Sequence, residues 1–143
     1  MRLSTKGRYG VKAMFDLALH SNGEPVPLKT IAERQGLSEA YLEQLMAGLR
    51  KAGLVNSVRG AQGGYILAHS PDSITIGEII RSLEGSMAPV DCVIEGEVSE
   101  CEKAEFCVTR IVWRKIRDSI NQVVDSITLQ DMLNDYFKIH KEG

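Results

Sequence analysis

Three features predict a mainly α-helical chain with one two-stranded β hairpin and a long helix towards the C-terminus. Apolar residues recur at helical spacing over most of the 143 residues, the period falls to about two only around residues 54–67, and a polar cap or a glycine marks nearly every change of pattern. Ser4 or Thr5 can cap a first helix over residues 5–20, in which Val11, Met14, Phe15, Leu17 and Ala18 share a side and Ser21-Asn22-Gly23 is the stop. A short helix over 28–35 carries Ile31 and Ala32 and ends at Gly36, where the chain can take the left-handed conformation that helix termini often need. Leu37 leads straight to Ser38, a good N-cap for a helix through Lys51 with Leu42, Leu45, Met46 and Leu49 inward and Gly53 as its stop. Two helices joined by about three residues that include a glycine read as a helix-turn-helix.

Leu54-Val55-Asn56-Ser57-Val58 and Tyr65-Ile66-Leu67 then read as short strands around the tip Arg59-Gly60-Ala61-Gln62-Gly63-Gly64. Thr75 and Glu78 have capping-box spacing and open a helix with Ile76, Ile79, Ile80 and Leu83 that ends at Gly85. These elements make a first domain, residues 1–85. A loop over residues 86–107 carries the cysteines, and a helical pattern over 103–126 carries an apolar stripe of Val108, Ile111, Val112, Ile116, Ile120, Val123 and Val124 that needs something to lie against. A final turn or two starts at Thr128, whose spacing to Asp131 resembles a weaker cap, with Leu129, Met132 and Leu133. The long and short helices thus fill residues 103–133, and 134–143 form a C-terminal tail.

An apolar fraction of 43% with 25% charged residues is ordinary for a globular chain and excludes disordered, collagen-like and disulfide-scaffold classes. No apolar run approaches the ~20 residues that span a bilayer, and residues 1–12 lack a secretory stretch, so a cytoplasmic protein with no membrane partner is expected. The net charge of -2 conceals an uneven split: residues 1–69 hold nine Lys or Arg against five Asp or Glu, whereas 70–143 hold eight against fourteen. The N-terminal half is therefore the polyanion-facing one.

A helix-turn-helix followed by a hairpin is the winged-helix plan, in which the second helix enters the major groove and the hairpin tip reaches the backbone or the minor groove. Glu39, Ala40, Glu43 and Gln44 face away from the Leu42/Leu45/Leu49 stripe; Gln44 could read adenine and Glu43 could accept from a cytosine amino group. Ser38 and Tyr41 suit phosphate, and Arg59 is the one long cation among glycines that let backbone approach DNA closely. The plainer reading is that helix-turn-helix geometry also occurs in purely structural bundles, and that Glu43 is a solvated helix residue. The hairpin is what favours DNA.

Cys92, Cys101 and Cys107 are the only cysteines, spaced C-x8-C-x5-C, and the acidic stretch 84–105 holds or adjoins all three. An odd number cannot pair completely, and thiolates gathered on a loop suit a soft metal centre, iron–sulfur or zinc; buried structural cysteines or a thiol redox pair remain alternatives. Neither spacing is a C-x2-C zinc signature. A cluster usually has four ligands, which leaves a carboxylate, a histidine, an exogenous thiol or a group from another subunit to complete it.

Three blocks carry a resemblance: Met1-Arg2-Leu3-Ser4-Thr5-Lys6-Gly7-Arg8-Tyr9-Gly10, Ser38-Glu39-Ala40-Tyr41-Leu42-Glu43-Gln44-Leu45 and Arg59-Gly60-Ala61-Gln62-Gly63-Gly64-Tyr65. Together they are similar to the winged-helix family of IscR-type iron–sulfur cluster regulators, which also contains CymR-type cysteine-metabolism repressors and NsrR-type nitric-oxide sensors. The likeness covers residues 1–133, including Trp113-Arg114 and Ser126-Ile127-Thr128-Leu129. It implies a homodimer joined by the long helix, contacts to palindromic double-stranded DNA from the stretch between Ser38 and Arg50 and from Arg59-Gly60, and a [2Fe-2S] cluster on Cys92, Cys101 and Cys107. Cluster-assembly or carrier proteins would be further partners.

The pattern departs from the family in its fourth ligand. IscR-type members carry a histidine three residues beyond the last cysteine, where this chain has Arg110, and the first cysteine gap is longer here. Nor does Arg8 supply the aspartate that NsrR-type members contribute from the other subunit. Asp91, Glu95, Glu97 or Glu105 could replace it, although each also reads as a solvated loop charge. CymR-type members lack the cysteine triad, which argues against that branch. The resemblance implies that the cluster-loaded dimer represses iron–sulfur assembly genes and that Glu43 helps the cluster-free form reject those operators. A nitric-oxide or redox sensor and a zinc-stabilised adaptor are the other readings. An enzyme is not expected: His20, His69 and His140 are scattered, and Gly60 to Gly64 lacks the Lys-Ser/Thr of a phosphate loop.

Overall fold

The computed structural model describes residues 3–95 and 107–141. Helix α1 (Thr5–His20) buries Ala13, Met14 and Leu17 and is closed by the Ser21 N–H on the Leu17 carbonyl at 3.0 Å. Helix α2 (Leu28–Gln35) ends at Gly36, whose φ of 67° turns the chain so that the Leu37 N–H reaches the Ala32 carbonyl at 3.0 Å. The Ser38 side chain accepts from the Tyr41 N–H at 3.1 Å and starts α3 (Glu39–Lys51), which turns Leu42, Leu45, Met46 and Leu49 into the core. All three helices have the bounds their local signals predict.

Strands β1 (Val55–Val58) and β2 (Gly64–Leu67) pair antiparallel, with Val55 opposite Leu67 and Val58 opposite Gly64. The hairpin is pinned from its other side, where Val26 and Tyr65 exchange two backbone hydrogen bonds of 2.9 Å. Gly64 permits this: its φ is 154°, and a Cβ there would collide with the Val26 carbonyl.

Helix α4 (Ile76–Glu84) crosses α1 closely because Gly10 leaves room for the Leu83 side chain. Thr75 accepts from the Glu78 N–H at 3.1 Å, but the expected capping box is one-sided: the Glu78 carboxylate takes the Thr75 hydroxyl at 3.3 Å. The reciprocal box lies instead at the cap expected to be weaker, where Asp131 takes the Thr128 N–H at 2.9 Å and Thr128 takes that of Asp131 at 3.1 Å.

Helix α5 (Val108–Ser126) starts later than the expected 103, and residues 103–106 lie outside the described ones. Its apolar stripe divides: Ile116, Ile120 and Val124 are half-buried, while Val108, Ile111, Val112 and Val123 are exposed. Helix α6 (Leu129–Ile139) is 11 residues long rather than a turn or two, and continues into the segment assigned to the tail because Tyr136 packs on Phe15 of α1 at 5.7 Å. Leu129 is fully buried with Leu17, Ile31, Leu42, Leu49 and Ile79, so the C-terminal helix returns to the core formed by α1–α4. Among the described residues the architecture is six helices around one core with one two-stranded antiparallel sheet, and no helix is long and apolar enough to cross a membrane.

Candidate nucleic-acid interface and metal centre

The burial of one side of α3 leaves Glu39, Ala40, Glu43, Gln44 and Arg50 exposed on the other, with Ser38 exposed at the cap. Tyr41 is half-buried; its ring meets that of Tyr9 edge-on with centroids 6.3 Å apart, and its hydroxyl lies 3.3 Å from the Thr5 hydroxyl. The first turn of α1 therefore adjoins the start of α3, a neighbourhood with no signal in the local pattern. Arg50 Nη1 donates to Ser57 Oγ at 3.4 Å and ties the end of α3 to strand β1 of the hairpin. At the hairpin tip Arg59 and Gly60 are both exposed, and the turn closes through the Gly63 N–H on the Gly60 carbonyl at 3.0 Å. An exposed helix face and an extended cationic tip are thus held on one rigid core, the arrangement that phosphate and groove contacts require.

Cys92 is half-buried in a short 3-10 turn, Asp91–Val93, and Cys107 is half-buried at the N-cap of α5. Arg110 connects the two turns: its N–H donates to the Cys107 carbonyl at 3.2 Å and its Nε to the Cys92 carbonyl at 3.3 Å. The Thr109 hydroxyl, 2.9 Å from Cys107 Sγ, together with the N–H groups of the first turn of α5 and the Arg110 charge, holds the Cys107 thiol below the usual cysteine range. A Cys107 thiol held below its usual range, on a turn that Arg110 links to the one carrying Cys92, has the chemistry of a soft-metal ligand. Cys101, Glu97 and Glu105 lie outside the described residues, and among those described no three His, Cys, Asp or Glu converge.

Of the candidate fourth ligands, Asp91 is exposed beside Cys92, whereas Glu95 is already engaged. Its Oε2 accepts from Ser86 at 2.5 Å and its Oε1 from Asn121 at 2.8 Å, with Arg117 Nε 3.8 Å away. Burial acts to raise the Glu95 carboxyl, but these hydrogen bonds and the Arg117 charge outweigh it and hold the group below the usual carboxylate range. Glu95 therefore serves the packing of the loop. Arg81, Arg117 and Asn121, none singled out by motif, carry that packing, and only their long-range contacts reveal it.

Residues 3–135 match the Rrf2 family, described as "Iron-dependent Transcriptional regulator". The HTH-type transcriptional regulator IscR of Erwinia tasmaniensis is 46% identical over 134 residues, covering 94% of this chain and 79% of the relative. The HTH-type transcriptional regulator CymR of Bacillus subtilis is 48% identical over 132 residues, covering 92% of this chain and 89% of the relative. Among solved structures, T. potens IscR superposes with a TM-score of 0.76 at 60% identity, covering 95% of this chain and 88% of that one. The structure of CymR, the global cysteine regulator of B. subtilis, gives 0.74 at 50% identity, covering 92% of this chain and 95% of that one. These relatives are named transcriptional regulators, not enzymes, and their fold is the helix-turn-helix with hairpin described above. The chain is a winged-helix transcription regulator of the Rrf2 family.

Proposed function

We propose that this regulator binds palindromic operators as a homodimer through Ser38, Glu39, Ala40, Tyr41, Glu43, Gln44, Arg50, Arg59 and Gly60, and senses iron–sulfur cluster supply through Cys92, Cys101 and Cys107. The regulated genes would be those of iron–sulfur cluster assembly, as the likeness to IscR suggests. The observation that carries the sensing reading is that Arg110 bridges the turns carrying Cys92 and Cys107, with the Cys107 thiol held below the usual cysteine range. A bound cluster, [2Fe-2S] by the same likeness, would add a removable charged centre at this place. The protein's own part is to present thiolates, to brace the loop on α5, and to hold α3 and the hairpin at a fixed relative angle. A difference of ~1 to 3 kcal/mol between two loop arrangements is enough for a useful switch.

Similarity by itself does not choose between IscR and CymR, since both lie at nearly the same identity. The accessible Cys107 thiol also suits a thiol-redox sensor. The deciding experiment is the visible spectrum, with iron and sulfide content, of protein purified without oxygen, beside a Cys92/Cys101/Cys107→Ala variant. A brown protein that the substitutions render colourless is the expected result. A wild type that stays colourless after cluster reconstitution would overturn the cluster reading, and reversible thiol oxidation that alters DNA affinity would then favour the redox one.

A further inference from the structure

Asn121, on α5, is hydrogen-bonded through both ends of its amide to opposite charges from different parts of the chain. Its Nδ2 donates to Glu95 Oε1 at 2.8 Å, in the segment that follows Cys92, and its Oδ1 accepts from Arg81 Nη2 at 2.9 Å, on α4. Turning the amide over would set its NH2 against the guanidinium and its carbonyl against the carboxylate, so the two charges select one orientation.

Both neighbours are held by further bonds. Glu95 also accepts from Ser86, and Arg117 donates to the Val93 carbonyl at 3.0 Å while facing Glu95. Arg81 pairs with both oxygens of Asp125, at 2.8 and 2.7 Å, and the Asp125 carboxylate lies where a Cβ on Gly77 would sit. Arg110, Arg117, Asn121 and Asp125 succeed one another at helical spacings along α5, forming a polar strip from the Cys92 turn to α4. On its far side α4 packs on the helix-turn-helix: Leu83 fills the space beside Gly10 of α1 and touches Gly48 of α3.

We infer that Asn121 is a positioning residue that couples the segment 86–95, which carries Cys92, to α4 and, through the Leu83 contact, to α3. The inference rests on the proposed sensing role of the loop only for its biological meaning, since the coupling itself is a property of the chain. The path is one of packed elements that share bonded partners, so a displacement of the loop that breaks the Glu95 bond releases one side of the amide that orients Arg81.

A double-mutant cycle read by amide hydrogen exchange tests it on the full chain as purified. Glu95→Ala perturbs the loop, Asn121→Ala removes the coupler, and exchange is followed in α3 (Glu39–Lys51), which neither side chain touches. In the wild-type background Glu95→Ala is expected to speed α3 exchange about twofold or more, and in the Asn121→Ala background clearly less. An equal effect in both backgrounds, or no effect of Glu95→Ala on α3 in the wild type, overturns the inference. Repeating the cycle on protein stripped of iron by a chelator removes any contribution of cluster content, so a wild type that stays colourless after cluster reconstitution but keeps the cycle would sink the cluster reading and leave the coupling standing.

Discussion

Asp16 on α1, only 2% exposed, grips the guanidinium of Arg34 on α2 with both oxygens, Oδ1 to Nη2 at 2.6 Å and Oδ2 to Nε at 2.9 Å. Gln35 adds a third bond to Oδ2 at 3.0 Å. The planar fork of arginine matches a carboxylate in this geometry, which fixes the angle between the helices as well as their contact. Because Arg34 and Gln35 immediately precede the Gly36 turn, the carboxylate sets the approach of α2 to α3.

Removing that carboxylate tests its weight. Asp16→Ala deletes three charge-assisted bonds and leaves the guanidinium without this partner, a loss of about 2 to 3 kcal/mol after allowance for the part-exposed arginine. Chemical denaturation should show a lower midpoint with an unchanged slope. Asp16→Leu combined with Arg34→Met should recover much of the loss, because no charge is left stranded. A single variant within about 0.5 kcal/mol of wild type would mean that the pair is solvated in practice.

The candidate base-reading residues invite the opposite expectation. Glu43 is exposed on α3, so Glu43→Ala should leave stability within about 0.5 kcal/mol of wild type. Its effect belongs in selectivity: a carboxylate near phosphates is unfavourable unless a cytosine amino group receives it. Cluster-free Glu43→Ala protein should bind the iron–sulfur assembly operators more tightly than cluster-free wild type in a fluorescence anisotropy titration. Unchanged affinity would remove Glu43 from the discriminating set.

Arg59 answers to salt. An exposed cation at the tip of a hairpin neutralises phosphate or enters a narrow minor groove, and each phosphate contact releases counterions. Arg59→Ala should weaken binding, and if its contact is to phosphate the slope of log affinity against log salt should fall by about one per protomer. Reduced affinity with an unaltered slope would assign Arg59 to base or shape reading.

The elements that carry Glu43 and Arg59 are coded locally. Ser38, Gly36 and the Leu42/Leu45/Leu49 spacing act within a few residues of one another, and α2 and α3 have the bounds those signals set. The polar strip on α5 was not legible in the same way. No local pattern marks Arg117 and Asn121, because Glu95, which they meet, lies 26 positions from Asn121. Nothing in the pattern of α1 marks Asp16, because its partner Arg34 comes from another helix. Similarly, α6 outruns its apolar pattern because Tyr136 finds Phe15, a partner absent from its own segment. Periodicity reports which face is apolar; it carries no information on which distant charge completes a buried carboxylate.

The exposed side of α5 yields the last prediction. Val108, Ile111, Val112 and Val123 are 75%, 51%, 46% and 56% exposed, although they lie on a helix whose other apolar residues, Ile116, Ile120 and Val124, are half-buried. A water-facing helix does not ordinarily display such a series, and contiguous apolar surface of this kind marks an interaction site. A second copy of the chain is the occupant that the proposed binding of a palindromic operator calls for, because two-fold symmetry in a protein mirrors that of its operator. Val112→Glu places a charge in the middle of this face without disturbing the α1–α4 core, since the side chain makes no part of it. Sedimentation should find a dimer for wild type and a monomer for the variant, and the monomer should retain its helical content while losing most of its affinity for a two-half-site duplex. If Val112→Glu stays dimeric, the protomers meet elsewhere, and the exposed stripe of α5 must belong to a different partner.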